Sequence, residues 1–128
     1  MKESLQLTEL QLAILRVFWR RGAATVAEVH QDLRAERGLA LSTVATLVSR
    51  LEKRGVLART GDGRQYVYRA TVSEDEVRHS MVSGLTSLLF GGDARALVSY
   101  LVRTGQIGPG DLEHARALPD SRGAGEVD

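Results

Sequence analysis

The 128-residue sequence contains no cysteine, which excludes disulfides, thiolate metal sites and cysteine nucleophiles. No apolar run approaches the ~20 residues that a membrane span requires. No apolar stretch follows the charged start Met1-Lys2-Glu3 as it would in a signal peptide. The expectation is a cytoplasmic protein without membrane insertion. Metal and phosphate motifs are missing as well. His30, His79 and His114 fall on three separate predicted helices, without HxxxH or HExxH spacing, and none stands near a Ser/Asp pair of motif form. No GxxxxGK[ST] surrounds Gly61-Asp62-Gly63, which reads as a turn. No catalytic residue, metal site, cofactor or enzymatic activity is expected.

What is present is an ordinary globular composition, 43% apolar and 26% charged, enough for one domain or two very small ones. The net charge of +1 conceals an asymmetry. Residues 1–72 carry 12 Lys and Arg against 7 Asp and Glu, whereas residues 73–128 carry 5 Arg against 9 Asp and Glu. A basic first half and an acidic second half point to a polyanion-binding region joined to a region with another job.

Hydrophobic periodicity places three short helices in the basic half. Thr8-Glu9-Leu10-Gln11 has the form of a capping box. Leu12, Ile14, Leu15, Phe18 and Trp19 then form a helical stripe that stops near Arg21-Gly22. A second box, Thr25-Val26-Ala27-Glu28, opens a helix with Val26, Val29 and Leu33 on one face, ending near Arg37-Gly38. A third helix is expected to open at Ser42 and close at Gly55, with Val44, Leu47, Val48 and Leu51 inward. The period then changes. Residues 56–60 and 65–69 are rich in β-formers and flank the hairpin turn Gly61-Asp62-Gly63-Arg64. Three helices and a hairpin in about 65 residues make a winged helix-turn-helix.

Beyond Thr71 the chain reads as acidic helix. Ser73-Glu74-Asp75-Glu76 is a third capping box, followed by Val77, Met81, Leu85, Leu88 and Leu89 at helical spacing. Gly91-Gly92 ends that helix, Asp93 can cap the next, and Leu97, Val98, Leu101 and Val102 form its apolar face. After a break at Gly108-Pro109-Gly110-Asp111, a last helix is expected from Asp111 or Leu112 to Leu118. This segment has too little surface of its own to bury for independent stability. Its apolar stripe is best explained by a second copy of the chain, with Val77, Met81, Leu85, Leu88, Leu97 and Leu101 buried between protomers; folding back onto the first half is the alternative. The fold class is thus mainly α with a small β-hairpin: a winged-helix DNA-binding domain at 5–71, a helical dimerisation domain at 72–118 and a disordered tail at 119–128.

The third helix carries the functional reading. Opposite its apolar stripe lie Thr43, Thr46 and Arg50, at i, i+3 and i+7, flanked by Ser42, Ala45 and Ser49. A helix entering a major groove needs short side chains at closest approach. Threonine offers a hydroxyl and a methyl to base edges, and arginine forks onto guanine or a phosphate. A solvated surface face is the alternative. Lys53, Arg54 and Arg59 cluster where helix meets hairpin, and Arg64 at the hairpin tip, followed by Tyr66 and Tyr68, suits a wing on the DNA backbone. Helix starts at Thr8 and Ser42 offer backbone amides to phosphate.

LTELQLAILRVFW, LSTVATLVSRLEKRGVLAR, GRQYVY and LFGGDARALVSYLV together resemble the penicillinase-repressor family of bacterial winged-helix regulators, over roughly residues 5–118. The resemblance implies a homodimeric repressor on double-stranded operator DNA with TACA/TGTA-type half-sites. In it Thr43, Thr46 and Arg50 take groove-reading positions and Arg64 that of the wing arginine. It further implies release by a signal from a membrane sensor protease or its product, the family's cleaved bond falling at Tyr100–Leu101; the family has Asn-Phe there. The copper-responsive branch's paired cysteines are absent, which removes that route of metal sensing. A winged-helix protein-interaction module and a ligand-gated DNA-binding regulator are the competing readings. The clustered basic residues speak against the first, and the nearly unbroken apolar stripe of 77–89 against the second.

Overall fold

A computed structural model of the chain describes residues 5–61 and 65–118. The expected turn residues Asp62, Gly63 and Arg64, and the expected tail from Pro119, lie outside the described residues. In chain order the elements are α1 (Glu9–Arg21), α2 (Val26–Arg37), α3 (Leu41–Lys53), β1 (Leu57–Thr60), β2 (Val67–Ala70), α4 (Glu74–Phe90), α5 (Ala94–Arg103) and α6 (Pro109–Ala117). The fold is mainly helical with one antiparallel hairpin, in which Leu57 faces Ala70 and Thr60 faces Val67.

Three helix starts follow directly from side-chain chemistry. Thr8 Oγ1 accepts from the Gln11 amide at 3.0 Å while Gln11 Oε1 accepts from the Thr8 amide at 2.9 Å. Thr25 with Glu28, and Ser73 with Glu76, repeat the exchange. Each box satisfies amides that a helix end leaves without partners, a gain of roughly 1 kcal/mol. Two starts differ from expectation. The third helix begins at Leu41, not Ser42, because the extended backbone of Ala40 already lets its carbonyl accept from Thr43 and Val44, both at 3.1 Å. The last helix begins at Pro109, ahead of Asp111. Proline is preset for the first helical position, and the Asp111 carboxylate accepts from the Gly108 amide at 3.0 Å.

The chain divides into two units, Gln6–Val77 and the residues from Arg78 onward together with Leu5. In the first, Ile14, Leu15, Val17 and Phe18 of α1 are buried, as are Val29 and Leu33 of α2, Val44, Val48 and Leu51 of α3, and Leu57 and Tyr68 of the hairpin. A side chain of this size, fully buried, contributes about 1.5–3 kcal/mol, enough to fasten a two-stranded hairpin that is marginal alone. Polar bonds complete the attachment. Ala24, in the α1–α2 connection, exchanges two backbone hydrogen bonds with Tyr68 at 2.8 and 3.0 Å, adding a one-residue third strand. The Trp19 indole N–H donates to the Val72 carbonyl at 2.9 Å.

The second unit has little interior. Among the described residues from Arg78 onward only Thr86 is buried, its hydroxyl donating to the Val82 carbonyl at 2.8 Å. Leu85 and Leu89 are exposed, and Leu88 is 80% exposed. Met81, Leu97 and Leu101 are half-buried. Val77 differs from the rest of the expected interface set: it is 1% exposed in the single chain and groups with Gln6–Val77, so no second chain is needed to cover it. Asp93 caps α5 by accepting from the amides of Arg95 and Ala96. The Phe90 and Tyr100 rings meet at 5.9 Å. Among the described residues no helix is long and apolar enough to cross a membrane.

Candidate nucleic-acid interface

The helix that would read DNA is set by the turn before it. Gly38 closes α2 in the left-handed region at φ 60°, its amide donating to Arg34 O at 3.1 Å; residues with a side chain rarely take that conformation. The His30 ring approaches the Leu39 carbonyl through Nε2 at 3.0 Å. A carbonyl only accepts, so Nε2 carries the proton. The sequence places His30 on a helix but carries no motif that reveals this bond.

From that start α3 divides cleanly. Val44, Val48 and Leu51 are fully buried and Leu47 half-buried, while Ser42, Thr43, Ala45, Thr46, Ser49 and Arg50 are exposed. The Thr46 hydroxyl donates to the Ser42 carbonyl at 3.0 Å. Its proton is therefore committed within the helix, and what Thr46 offers outward is an acceptor lone pair and a methyl group. No side chain caps the N-terminus of α3, in contrast to α1 and α2. The amide end of α3 is thus open to an anion, whereas Thr8, the other helix start considered for phosphate, is occupied by its own capping box.

The basic residues separate into free and engaged groups. Among the described residues Arg50 and Lys53 are exposed and have no ion-pair partner. Arg54, by contrast, donates through Nη1 to the Gln6 carbonyl at 2.9 Å, fastening the segment before α1 to the end of α3. Arg59 is engaged twice. Its Nε lies 3.2 Å from a Glu52 carboxylate oxygen, and its guanidinium stands 4.1 Å from the centroid of the Tyr66 ring. The Glu52 carboxylate foremost, then Tyr66, raise the pKa of Arg59. Tyr66 is half-buried beneath that cation, and Arg64 lies outside the described residues. Arg69, exposed on β2 and without an ion pair among the described residues, is a further cation that the sequence reading left unassigned. Among the described residues no group of three or more His, Cys, Asp or Glu is placed to hold a metal ion.

Comparison with known proteins accords with this geometry. The sequence model of the penicillinase repressor family matches residues 7–120. Transcriptional regulator BlaI of Mycobacterium tuberculosis is 34% identical over 103 residues, 78% of this chain and 75% of that protein. The penicillinase repressor of Staphylococcus aureus is 20% identical over 105 residues, 82% of this chain and 83% of that one. The solution structure of the DNA-binding domain of the repressor BlaI superposes with a TM-score of 0.52 at 28% identity, over 59% of this chain and 93% of that domain. Monomeric Bacillus licheniformis BlaI in complex with the blaP half-operator gives 0.51 at the same identity and coverage. These relatives are transcriptional repressors rather than enzymes, and with the match extending over nearly the whole sequence, the chain belongs to the penicillinase-repressor family.

Proposed function

We propose that the protein is a homodimeric transcriptional repressor that binds a two-fold symmetric operator and occludes a promoter. The observation that carries this is the two-sided α3. Its apolar side is sealed in the core, while Thr43, Thr46 and Arg50 stand exposed on the other side, with Arg50 and Lys53 free of ion pairs among the described residues. Thr43, Thr46 and Arg50 read base edges. Lys53, Arg64 and the open amide end of α3 around Ser42 hold phosphates, and Thr8 and Tyr66 border that surface.

The exposed apolar face of α4 and α5 supports the second half of the reading. Leu85 and Leu88, with the half-buried Met81, Leu97 and Leu101, meet their counterparts in a second chain. Joining two winged helices converts the second half-site contact into an intramolecular event and multiplies occupancy without new contacts. Release then follows from whatever separates the two halves of each chain, such as β-lactam-linked proteolysis at Tyr100–Leu101 by a sensor protease or its product. Tyr100 sits in helix α5 against Phe90, so that helix must open before its backbone can be cut.

The test is fluorescence-anisotropy titration of a palindromic TACA/TGTA duplex and a scrambled duplex of equal length. Arg50→Ala weakens the palindrome by about 1–3 kcal/mol and relaxes preference between the two. Lys53→Ala weakens both alike and lowers the salt slope by about one unit. An Arg50→Ala protein with unchanged affinity and preference would overturn the assignment of α3.

A further inference from the structure

Arg59 has the charge and position of a phosphate ligand, yet its exposed guanidinium is already engaged by two neighbours. Its Nε is 3.2 Å from the carboxylate of Glu52, in the last turn of α3, and its guanidinium lies 4.1 Å over the ring of Tyr66. In the hairpin register Arg59 pairs with Tyr68, so Tyr66, two residues before it, is the diagonal cross-strand neighbour. One side chain on β1 thus touches the end of the helix and the far side of the hairpin. The backbone is equally tight at the mouth of that hairpin. Gly61 has φ +132°, and a Cβ there would lie 2.8 Å from the Gln65 carbonyl oxygen.

We infer that Arg59 is a positioning residue of the DNA-binding surface, clamping the hairpin to the end of α3 through Glu52 and Tyr66, and not a ligand of phosphate. An arginine is required for this. The planar guanidinium stacks on a ring while its edge N–H meets a carboxylate, a combination that the compact ammonium of lysine does not reproduce. A phosphate contact, by contrast, tolerates lysine as a point charge.

The inference rests on the operator-binding reading, and the experiment keeps the two apart. Full-length wild type, Arg59→Lys, Arg59→Ala, Tyr66→Leu, Tyr66→Phe and the Arg59→Lys/Tyr66→Leu double variant are titrated with the palindromic TACA/TGTA duplex and its scrambled counterpart over a range of salt. Circular dichroism confirms which variants are folded. The clamp predicts that Arg59→Lys and Tyr66→Leu each weaken palindrome binding by about tenfold and that the double variant is no weaker than either, since both break one coupled unit. Tyr66→Phe restores most of what Tyr66→Leu loses, and Arg59→Lys keeps the wild-type salt slope. Wild-type affinity in Arg59→Lys, with a slope about one unit lower in Arg59→Ala, would make Arg59 a phosphate ligand and overturn the clamp. Multiplying losses in the double variant would overturn it too. Equal binding of both duplexes by wild type would instead remove the operator reading itself.

Discussion

The two units of the chain solve the burial problem in opposite ways. Between Leu7 and Val77, apolar side chains from three helices and a hairpin converge on one interior, with Ile14, Leu15, Val17, Val29, Val44, Val48 and Leu51 fully buried. From Arg78 onward the same residue types lie outward: Leu88 is 80% exposed, Leu89 61% and Leu118 54%. Local signals are comparable in both, since α1 and α5 each begin at a side-chain cap and carry an apolar face. A well-formed amphipathic helix therefore does not reveal whether its core is supplied by its own chain. That depends on how many elements converge on it. In the first unit the return of the hairpin to α1 and α3 completes the enclosure, whereas α4 to α6 leave leucines facing water.

The sharpest way to break this contrast is to charge the exposed face. Leu85→Asp combined with Leu88→Asp alters only side chains of the second unit that are exposed in the single chain. In a dimer both carboxylates would be desolvated without partners. Sedimentation is expected to give a folded monomer, with palindrome affinity lower by about 10²- to 10⁴-fold through lost avidity. A wild-type chain that already sediments as a monomer at micromolar concentration would mean that these leucines serve something other than self-association.

Truncating the enclosed core has the next largest effect and a different signature. Leu51→Ala, at a fully buried position, is expected to cost about 2–5 kcal/mol in urea unfolding. That loss is independent of protein concentration, because the cavity lies within one chain. Leu88→Ala, at the most exposed of these leucines, is expected to lower stability in a concentration-dependent way, since its loss is felt only where two chains meet. Equal, concentration-independent losses at the two positions would erase the distinction between the units.

Much of this organisation is legible in sequence because it is written locally. The Thr8–Gln11, Thr25–Glu28 and Ser73–Glu76 boxes each lie within four residues, and the α3 stripe repeats at helical period, so caps and faces follow from spacing alone. At the start of α3 a serine suggests a helix opening at Ser42, whereas Ala40 achieves the turn with backbone alone and α3 opens one residue earlier. Contacts between distant segments left no such trace. The bridge from the expected second strand at Tyr68 reaches Ala24, which nothing in the sequence marks as strand, and the His30–Leu39 bond joins a helix to a loop. Arg59 looked like one more cation near a wing; only the folded hairpin reveals that Glu52 and Tyr66 already hold it. Val77, fourth in from its cap, shares a helical stripe with the exposed leucines yet is buried, because periodicity identifies a face but not what covers it.

The smallest expected effect lies on the surface of the first unit and tests whether its enclosure depends on charge at all. Arg21 donates to both carboxylate oxygens of Asp32, at 2.8 and 2.9 Å, joining α1 to α2. These hydrogen bonds foremost, with attraction to Arg21 and then Arg20, hold the Asp32 carboxyl below its ordinary pKa of 3.8. The folded value is thus below the unfolded one. The pair's contribution is fully present above the unfolded value and is lost as pH falls through the folded value. Glu9, lowered mainly by its hydrogen bond from Arg37, has the same sign. Thermal unfolding of wild type is therefore expected to fall more steeply on acidification than that of Asp32→Asn, whose amide does not titrate, the two profiles converging at the acid end. At neutral pH the substitution costs little, since an ion pair this open to solvent is strongly screened. Parallel profiles for wild type and variant down to the acid limit would show that the α1–α2 junction is held by its buried aliphatics alone.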